Sequence, residues 1–318
     1  MHEEKVASIG SLQPSVPDVG RPVIVGEVLF DVFPDGLRVL GGAPFNVAWH
    51  LQAFGFEPLV VTRIGGDTLG DEVLRAMEGW GMDVTGVQVD AGATTGRVRV
   101  ELDHSAPTFE ILDDQAYDRL DATAAMAAAT EARPALLYHG SLIARSEIGR
   151  GVLGELRVTG APVFVDINLR DPWWRPSDVG ELITGARWLK VNDDELAKLI
   201  PEPAGADGMK GPELAAAELA RRNGIEQVIV TCGDRGAFVV VEGRSTAGRP
   251  PVAVEVVDTV GAGDAFSAIW IAGVLRRWRP ETTLIRALGF AGAVCGFRGA
   301  TTSDRRVYER QLTAWEQE

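Results

Sequence analysis

Apolar runs rich in β-branched residues recur along the chain, each short enough to be a strand. They are PVIVGEVLF (Pro22 to Phe30), PLVVTRIG (Pro58 to Gly65), ALLYHGS (Ala135 to Ser141), PVFVDIN (Pro162 to Asn168), RWLKVN (Arg187 to Asn192), QVIVTCG (Gln227 to Gly233) and GAFVVVEG (Gly236 to Gly243). Helical periodicity fills several intervals, in FNVAWHLQAFG, GDEVLRAMEGWG, DATAAMAAATEA, DELAKLI and PELAAAELARRNG. Continuous apolar strands alternating with helices predict an α/β fold, a mostly parallel sheet covered by helices on both faces. A further strand is expected over PVAVEVV (Pro251 to Val257), running into a helix, AFSAIWIAGVLRRW, that is apolar on nearly every side.

Two stretches break this rhythm. TTGRVRVELD (Thr94 to Asp103) alternates apolar and polar residues, turns through HSAP and returns as TFEIL, the pattern of a half-exposed hairpin. LFDVFPDGLRVL (Leu29 to Leu40) has the same character. Together, about residues 29–40 and 94–112, they predict a small discontinuous β-sheet projecting from the main domain. PEPAGADGMKGPE (Pro201 to Glu213) and EGRSTAGRPP (Glu242 to Pro251) are expected to be flexible loops.

Composition narrows the function. The 318 residues are 46% hydrophobic and 24% charged, enough for one full core over residues 22–318. A net charge of −14 argues against nucleic acid or an anionic membrane as partner. Cys232 and Cys295 lie in apolar runs and read as free buried thiols in a reducing compartment. Residues 1–21 have neither an apolar core nor a basic start, so they read as a loose tail and not a signal peptide. With no run of membrane-spanning length, a cytoplasmic protein is expected. His2, His50, His104 and His139 lack metal-ligand spacing and read as solvated or core groups.

In an open parallel sheet, ligands bind beyond the carboxyl ends of the strands. Polar residues gather there: Asp31, Asp166 and Asn168, Asn192 and Glu195, Thr231 and Gly233, and Asp258 to Asp264. Within DTVGAGDAF (Asp258 to Phe266), the small residues Gly261, Ala262 and Gly263 precede a helix, where free N–H groups and the helix dipole favour an anion. The chain has no P-loop, no dinucleotide fingerprint, no zinc-protease motif, no nucleophile elbow and no paired Cys-x-x-Cys.

DTVGAGDAF resembles the C-terminal signature of the PfkB-type, ribokinase-like carbohydrate kinases. GGAPFNVAWHLQAFG followed by RIGGDTLG resembles their N-terminal signature. VNDDE, TCGDRGAF and RGATTS resemble three further elements, and all five stand in the family's order across about residues 22–303. The resemblance implies a ribokinase-like domain with a β lid, using ATP and Mg²⁺, and in some members K⁺. It casts Asp264 as the base on the acceptor hydroxyl, with Gly261, Ala262 and Gly263 holding the transferring phosphoryl. Asp31, Gly41, Gly42 and Asn46 would bind sugar, joined by Phe109 on the hairpin and by Arg170 of DINLR. Asn192, Glu195, Thr231, Gly233 and Gly236 fall on the nucleotide side. Glu195 would hold Mg²⁺ through water, and Asp258 with Ser303 a K⁺ ion. The segments GEVLFDVFPDG and DINLRDPWW are most similar to fructokinases, so the expected reaction moves the γ-phosphate of ATP to a primary hydroxyl of fructose. Ribose, 2-keto-3-deoxygluconate and nucleosides are the alternative acceptors. A non-catalytic sugar or nucleotide sensor is the alternative of another class, and a homodimer through the lid is a further implication.

Plainer readings exist for the same residues. Asp264 and Asn46 would serve as helix N-caps, Asn192 with Glu195 as a capping box, and Asp258 as a turn cap with Ser303 in solvent. Arg170 would form a structural ion pair, and Phe33, Phe45 and Phe109 would pack without touching ligand. Trp173 and Trp174 have no task legible in the sequence.

Overall fold

The structure is a computed structural model that describes residues 20–102, 107–200, 211–250 and 255–317. Its strands are β1 (Arg21–Val25), β2 (Leu29–Val32), β3 (Arg38–Gly41), β4 (Leu59–Gly65), β5 (Val87–Asp90), β6 (Gly96–Leu102), β7 (Pro107–Ile111), β8 (Pro134–His139), β9 (Val163–Asp166), β10 (Trp188–Asn192), β11 (Gln227–Thr231), β12 (Ala237–Val241) and β13 (Arg244–Gly248). The helices are α1 (Ala43–Ala53), α2 (Thr68–Trp80), α3 (Ala122–Ala132), α4 (Glu147–Arg157), α5 (Pro176–Ile183), α6 (Asp193–Leu199), α7 (Pro212–Asn223), α8 (Ala262–Leu275), α9 (Pro280–Cys295) and α10 (Arg305–Glu316).

Among the described residues the main sheet has the order β13-β12-β11-β10-β9-β8-β1-β4-β5. It is parallel from β11 to β5, and β12 and β13 add an antiparallel edge. Each central strand feeds two cores. On β1, Ile24 faces a core shared with α1, α2, α8, α9 and α10, while Val23 and Val25 face one shared with α3 to α7. Burial on both faces is why these strands read as mostly apolar runs and do not alternate. Helix α8 is buried at ten positions because it packs against both α1 and α9. No helix among the described residues is long and apolar enough to cross a membrane.

The second sheet has the order β3-β2-β6-β7 and comes from two excursions of the chain, as expected. β2 runs antiparallel to β3 and parallel to β6, with Asp31 opposite Val98, and β6 and β7 form the hairpin. Val98 and Val100 are buried beneath it, whereas Phe109 is 54% exposed.

Four expectations need correction. PVIVGEVLF is two strands in two sheets: at Gly26 φ is +151°, and an added Cβ would lie 2.5 Å from Pro44 Cγ, so the chain breaks there. Within the expected loop 242–251, β13 pairs with β12 along the sheet edge, through backbone groups that its polar sequence does not advertise. The strand expected over Pro251 to Val257 lies mostly outside the described residues, and its described part, 255–257, is not a strand. The thiols of Cys232 and Cys295 are free but half-buried. Residues 1–19 and 201–210, His2 and His104 lie outside the described residues.

Candidate active site

A cleft of about 510 Å³ opens at the carboxyl ends of the main-sheet strands, beneath the small sheet. It brings together Asp31, Gly42, Asn46, Phe109, Arg170, Asn192, Glu195, Thr231, Gly261, Gly263 and Asp264 from the sequence-predicted set. Stretches more than 200 residues apart therefore share one cavity. Gly41, Ala262, Gly233 and Gly236 do not line it, and neither do Asp258 and Ser303.

The anion turn is built from backbone. Gly261 precedes α8 at φ +79°, with no side-chain cap over the helix N-terminus. An added Cβ at Gly261 would lie 2.4 Å from Ala300 Cα, so only glycine lets the loop carrying RGATTS pack here. Asp258 ties the two loops together: its carboxylate accepts from Val260 N at 3.1 Å and from Gly299 N at 2.9 Å. Burial opposes the charge of Asp258, but those N–H groups hold its carboxyl below the usual range. Ser303 is exposed. Helix α1 clamps the same loop, with Trp49 Nε1 donating to Thr302 O at 3.0 Å and His50 Nε2 lying 3.1 Å from Ala300 O. Burial lowers the His50 pKa to about 3, so this imidazole is a neutral core group.

Asp264 is the third residue of α8 and not its N-cap. Its Oδ2 accepts from Asn46 Nδ2 at 2.8 Å. Burial raises its pKa to about 6, Asp166 adds to the rise, and Asn46, Lys190 and Arg170 oppose it. A carboxyl poised near neutrality at a helix N-terminus suits proton transfer at ordinary pH. Asn46 is the fourth residue of α1, whose N-cap is Gly42, so it is not a cap either. Gly42 takes φ +109° where an added Cβ would meet Glu27 O at 2.6 Å.

Asn192 and Glu195 do form the full capping box of α6. Asn192 Oδ1 accepts from Glu195 N at 2.7 Å, and Glu195 Oε2 accepts from Asn192 N at 2.8 Å. Leu169 N also donates to Glu195 Oε1 at 2.7 Å, tying the first turn of α6 to the loop after β9. Burial raises the Glu195 pKa against the pull of those N–H groups and of Lys190. Both carboxylate oxygens are thus engaged while the side chain still borders the cleft. Such a group fits a magnesium ion through a bound water better than by direct ligation. Among the described residues no three His, Cys, Asp or Glu side chains form a ready metal cluster.

Among the charged residues of the cleft that lay outside the sequence-predicted set are Lys190 and Glu27. Lys190 Nζ donates to both oxygens of Asp166 at 2.9 Å, and Ser267 Oγ donates to Asp166 Oδ2 at 2.7 Å. Burial pulls the Lys190 pKa down, but Asp166 outweighs it and keeps the ammonium charged. An added Cβ at Gly263 would lie 3.3 Å from Lys190 Nζ, so this charge sits against the anion turn. Glu27, between β1 and β2, is 5% exposed, and burial raises its pKa to about 7. The sequence signal for both was a charge inside an otherwise apolar run.

The remaining expectations divide. Arg170 is exposed and makes no ion pair among the described residues. Phe45 is a core residue packed on Trp49, and Phe33 does not line the cleft; Phe109 does. Trp173 lies under the Arg145 guanidinium at 4.5 Å, and Trp174 Nε1 donates to Asp171 Oδ1 at 2.7 Å, so both brace the segment after Arg170.

The sequence model described as pfkB family carbohydrate kinase matches residues 23–306. A fructokinase of Klebsiella pneumoniae is 29% identical over 307 residues, covering 89% of this chain and 94% of that protein. The solved structure of a Xylella fastidiosa fructokinase with bound ATP superimposes with a TM-score of 0.79 at 19% identity, over 93% of this chain and 98% of that one. A double-mutant Vibrio cholerae fructokinase, solved with fructose, ADP and potassium ion, gives 0.75 at 22% identity, over 92% and 98%. At these identities the structural matches establish the fold, which is ribokinase-like.

Proposed function

The chain belongs to the pfkB family of carbohydrate kinases, phosphotransferases acting on a sugar hydroxyl, and we propose that it moves the γ-phosphate of ATP to a primary hydroxyl of D-fructose. The observation that carries this reading is Asp264, held by Asn46 at 2.8 Å beside the uncapped N-terminus of α8. Asp264 takes the proton of the acceptor hydroxyl as that oxygen attacks the γ-phosphorus. The bond from phosphorus to the β–γ bridging oxygen breaks, and ADP leaves with that electron pair. Such a transition state asks for alignment and charge neutralisation, which the N–H groups at Gly261 to Asp264 and the Lys190 ammonium supply.

Asp31, Gly42 and Asn46 hold the sugar, with Phe109 of the lid above and Arg170 at the side. Thr231 borders the nucleotide end, where Gly233 (φ +59°) and Gly236 (φ +100°) shape the turn. Magnesium entering with the nucleotide neutralises phosphate charge, and Glu195 holds one of its waters. A potassium ion behind the anion turn is part of the reading, with Asp258 on that side. The lid strands β3 and β7 are sheet edges within the chain and suit pairing with a second copy.

Fructose as the acceptor is supported by the fructokinases among the relatives. The test is ATP turnover on D-fructose, D-ribose, 2-keto-3-deoxygluconate and adenosine, with the phosphorylated carbon assigned by NMR. D-Fructose should give the highest kcat/KM, with phosphate on a primary carbon. A clear lead for any other acceptor overturns fructose and leaves the kinase assignment standing.

A further inference from the structure

The acceptor end of the cleft holds more polar capacity than the proposed reaction uses. Glu27 borders it at the break between β1 and β2, where its backbone oxygen and Cγ lie against the α position of Gly42. Glu27 Oε2 is fully buried and has no hydrogen-bond partner. Asn46 Oδ1 is in the same condition, because the amide nitrogen of Asn46 is given to Asp264. Half-buried Asp31 stands on the same wall, and the basic group bordering this end is Arg170. The wall therefore presents unpaired acceptors to the cleft, while two buried donors that also have no partner, Tyr117 Oη and Arg145 Nη1, belong to groups that interact electrostatically with Glu27 and do not line the cleft.

An unpaired buried acceptor costs roughly 1–3 kcal/mol, and more when charged, so such atoms persist where a partner arrives. The ligand that completes this wall carries several donors and no competing negative charge, which describes an uncharged polyol. We propose that Glu27 is a sugar-binding residue, its Oε2 accepting a hydrogen bond from a hydroxyl of the acceptor other than the one phosphorylated. This rests on the sugar-kinase reading of the same cleft.

Position supports a contact with the sugar over a purely structural role. A structural carboxylate in this protein is visibly paired, as Asp166 is by Lys190 and Ser267, and Asp67 by Gly70 N, Thr95 N and Thr95 Oγ1. Glu27 Oε2 has no such partner, and Glu27 borders the cleft together with Gly42 and Asn46. Burial raises the Glu27 pKa and Asp264 adds to the rise, while the positive charges of Arg170 and Arg145 oppose it. A hydroxyl donating to the carboxylate would hold the charged form and fix the sugar ring relative to Asp264.

The test is a cycle between protein and substrate. Wild type, Glu27→Gln and Glu27→Ala are assayed with ATP on D-fructose and on fructose analogues each lacking one secondary hydroxyl, with folding checked by circular dichroism. Loss of a hydrogen bond to a charged group is worth roughly 10- to 100-fold. Glu27→Ala should raise the KM for fructose by about that factor and leave kcat within a few-fold, and Glu27→Gln should do so more weakly. One deoxy analogue should lose a similar factor on wild type and almost nothing further on Glu27→Ala. Should Glu27→Ala fail to fold, the isosteric Glu27→Gln carries the same non-additivity. Penalties that multiply independently for every analogue, or an unchanged fructose KM in both variants, overturn the proposal. If wild type fails on D-fructose but phosphorylates D-ribose, the fructose reading fails alone, and the cycle is run with deoxyriboses.

Discussion

Asp264→Asn should cost activity and gain stability, and both effects follow from one carboxyl. In the folded protein burial raises the Asp264 pKa from its ordinary 3.8 to about 6. The folded state therefore favours the protonated acid more than the unfolded state does. The contribution of Asp264 to stability is full below the unfolded value and is lost as pH rises through the folded value. A separation of roughly two pH units at about 1.4 kcal/mol each sets an upper bound of about 3 kcal/mol on the cost of ionising it in place. The asparagine amide is neutral at every pH, and its oxygen can still accept from Asn46 Nδ2. At pH 8 the variant should be more stable by up to about 3 kcal/mol, and for a chain of 318 residues that is about 4–5 °C in Tm. The gain should shrink as pH falls through 6 and vanish near 4. Turnover should fall by about 10²–10⁴-fold, since a general base contributes that much. Thermal scans of both proteins at pH 4, 6 and 8 with a fixed scan rate, alongside ATP turnover at pH 8, make the comparison. Equal Tm values at pH 8 refute the strained carboxyl, and near-normal turnover refutes Asp264 as the base.

Two further predictions concern the anion turn. Gly261→Ala should destabilise the fold by at least about 2 kcal/mol in urea unfolding, because the residue sits at φ +79° with Ala300 Cα 2.4 Å from the new methyl; Gly263→Ala, which meets only Lys190 Nζ at 3.3 Å, should unfold much like wild type yet turn over slowly. Wild-type stability in Gly261→Ala contradicts this packing. At fixed ionic strength potassium should raise kcat above the values in sodium and in choline, and Asp258→Ala should abolish that response. Identical rates in all three salts remove the cation from the proposal without touching phosphoryl transfer.

The pattern of the chain made the architecture legible where burial is two-sided, and obscured it where pairing is carried by backbone alone. β1, β4, β8, β9, β10 and β11 are mostly apolar because helices cover both faces, and the 94–111 hairpin alternates because one face is open. β13 has no such signature: RSTAG pairs through main-chain groups at the sheet edge, and its side chains have no core to fill. Helices α4, α5, α9 and α10 lie in segments whose periodicity was not singled out. The anion turn could be read because its parts must be contiguous: a positive-φ glycine, open N–H groups and a carboxylate within one turn of helix. The acceptor wall is assembled from the β1–β2 break, α1 and the loop after β9, and no local pattern spans those pieces.

A different signal survives in the strand sequences. Glu27 interrupts PVIVGEVLF, Asp166 interrupts PVFVDIN and Lys190 interrupts RWLKVN, and all three border the cleft. A charge inside a run that must be buried on both faces costs too much to persist unless it is paired or used. Asp166 and Lys190 are paired with each other, and Glu27 Oε2 has no partner. Arg63 in PLVVTRIG is the instructive exception: it also interrupts an apolar run, yet it does not line the cleft. Arg63 lies one strand from the sheet edge, donates to Arg119 O at 2.6 Å and pairs with Asp90 of β5 at 3.0 Å. The misplaced charge alone therefore marks two kinds of position, a pinned sheet edge and a ligand cleft. The partner separates them: Arg63 is tied to Asp90 of the edge strand β5, whereas Glu27 and Asp166 come at or just past the carboxyl ends of β1 and β9, where an open parallel sheet receives its ligand, and Lys190, two residues before the end of β10, reaches across to Asp166 there.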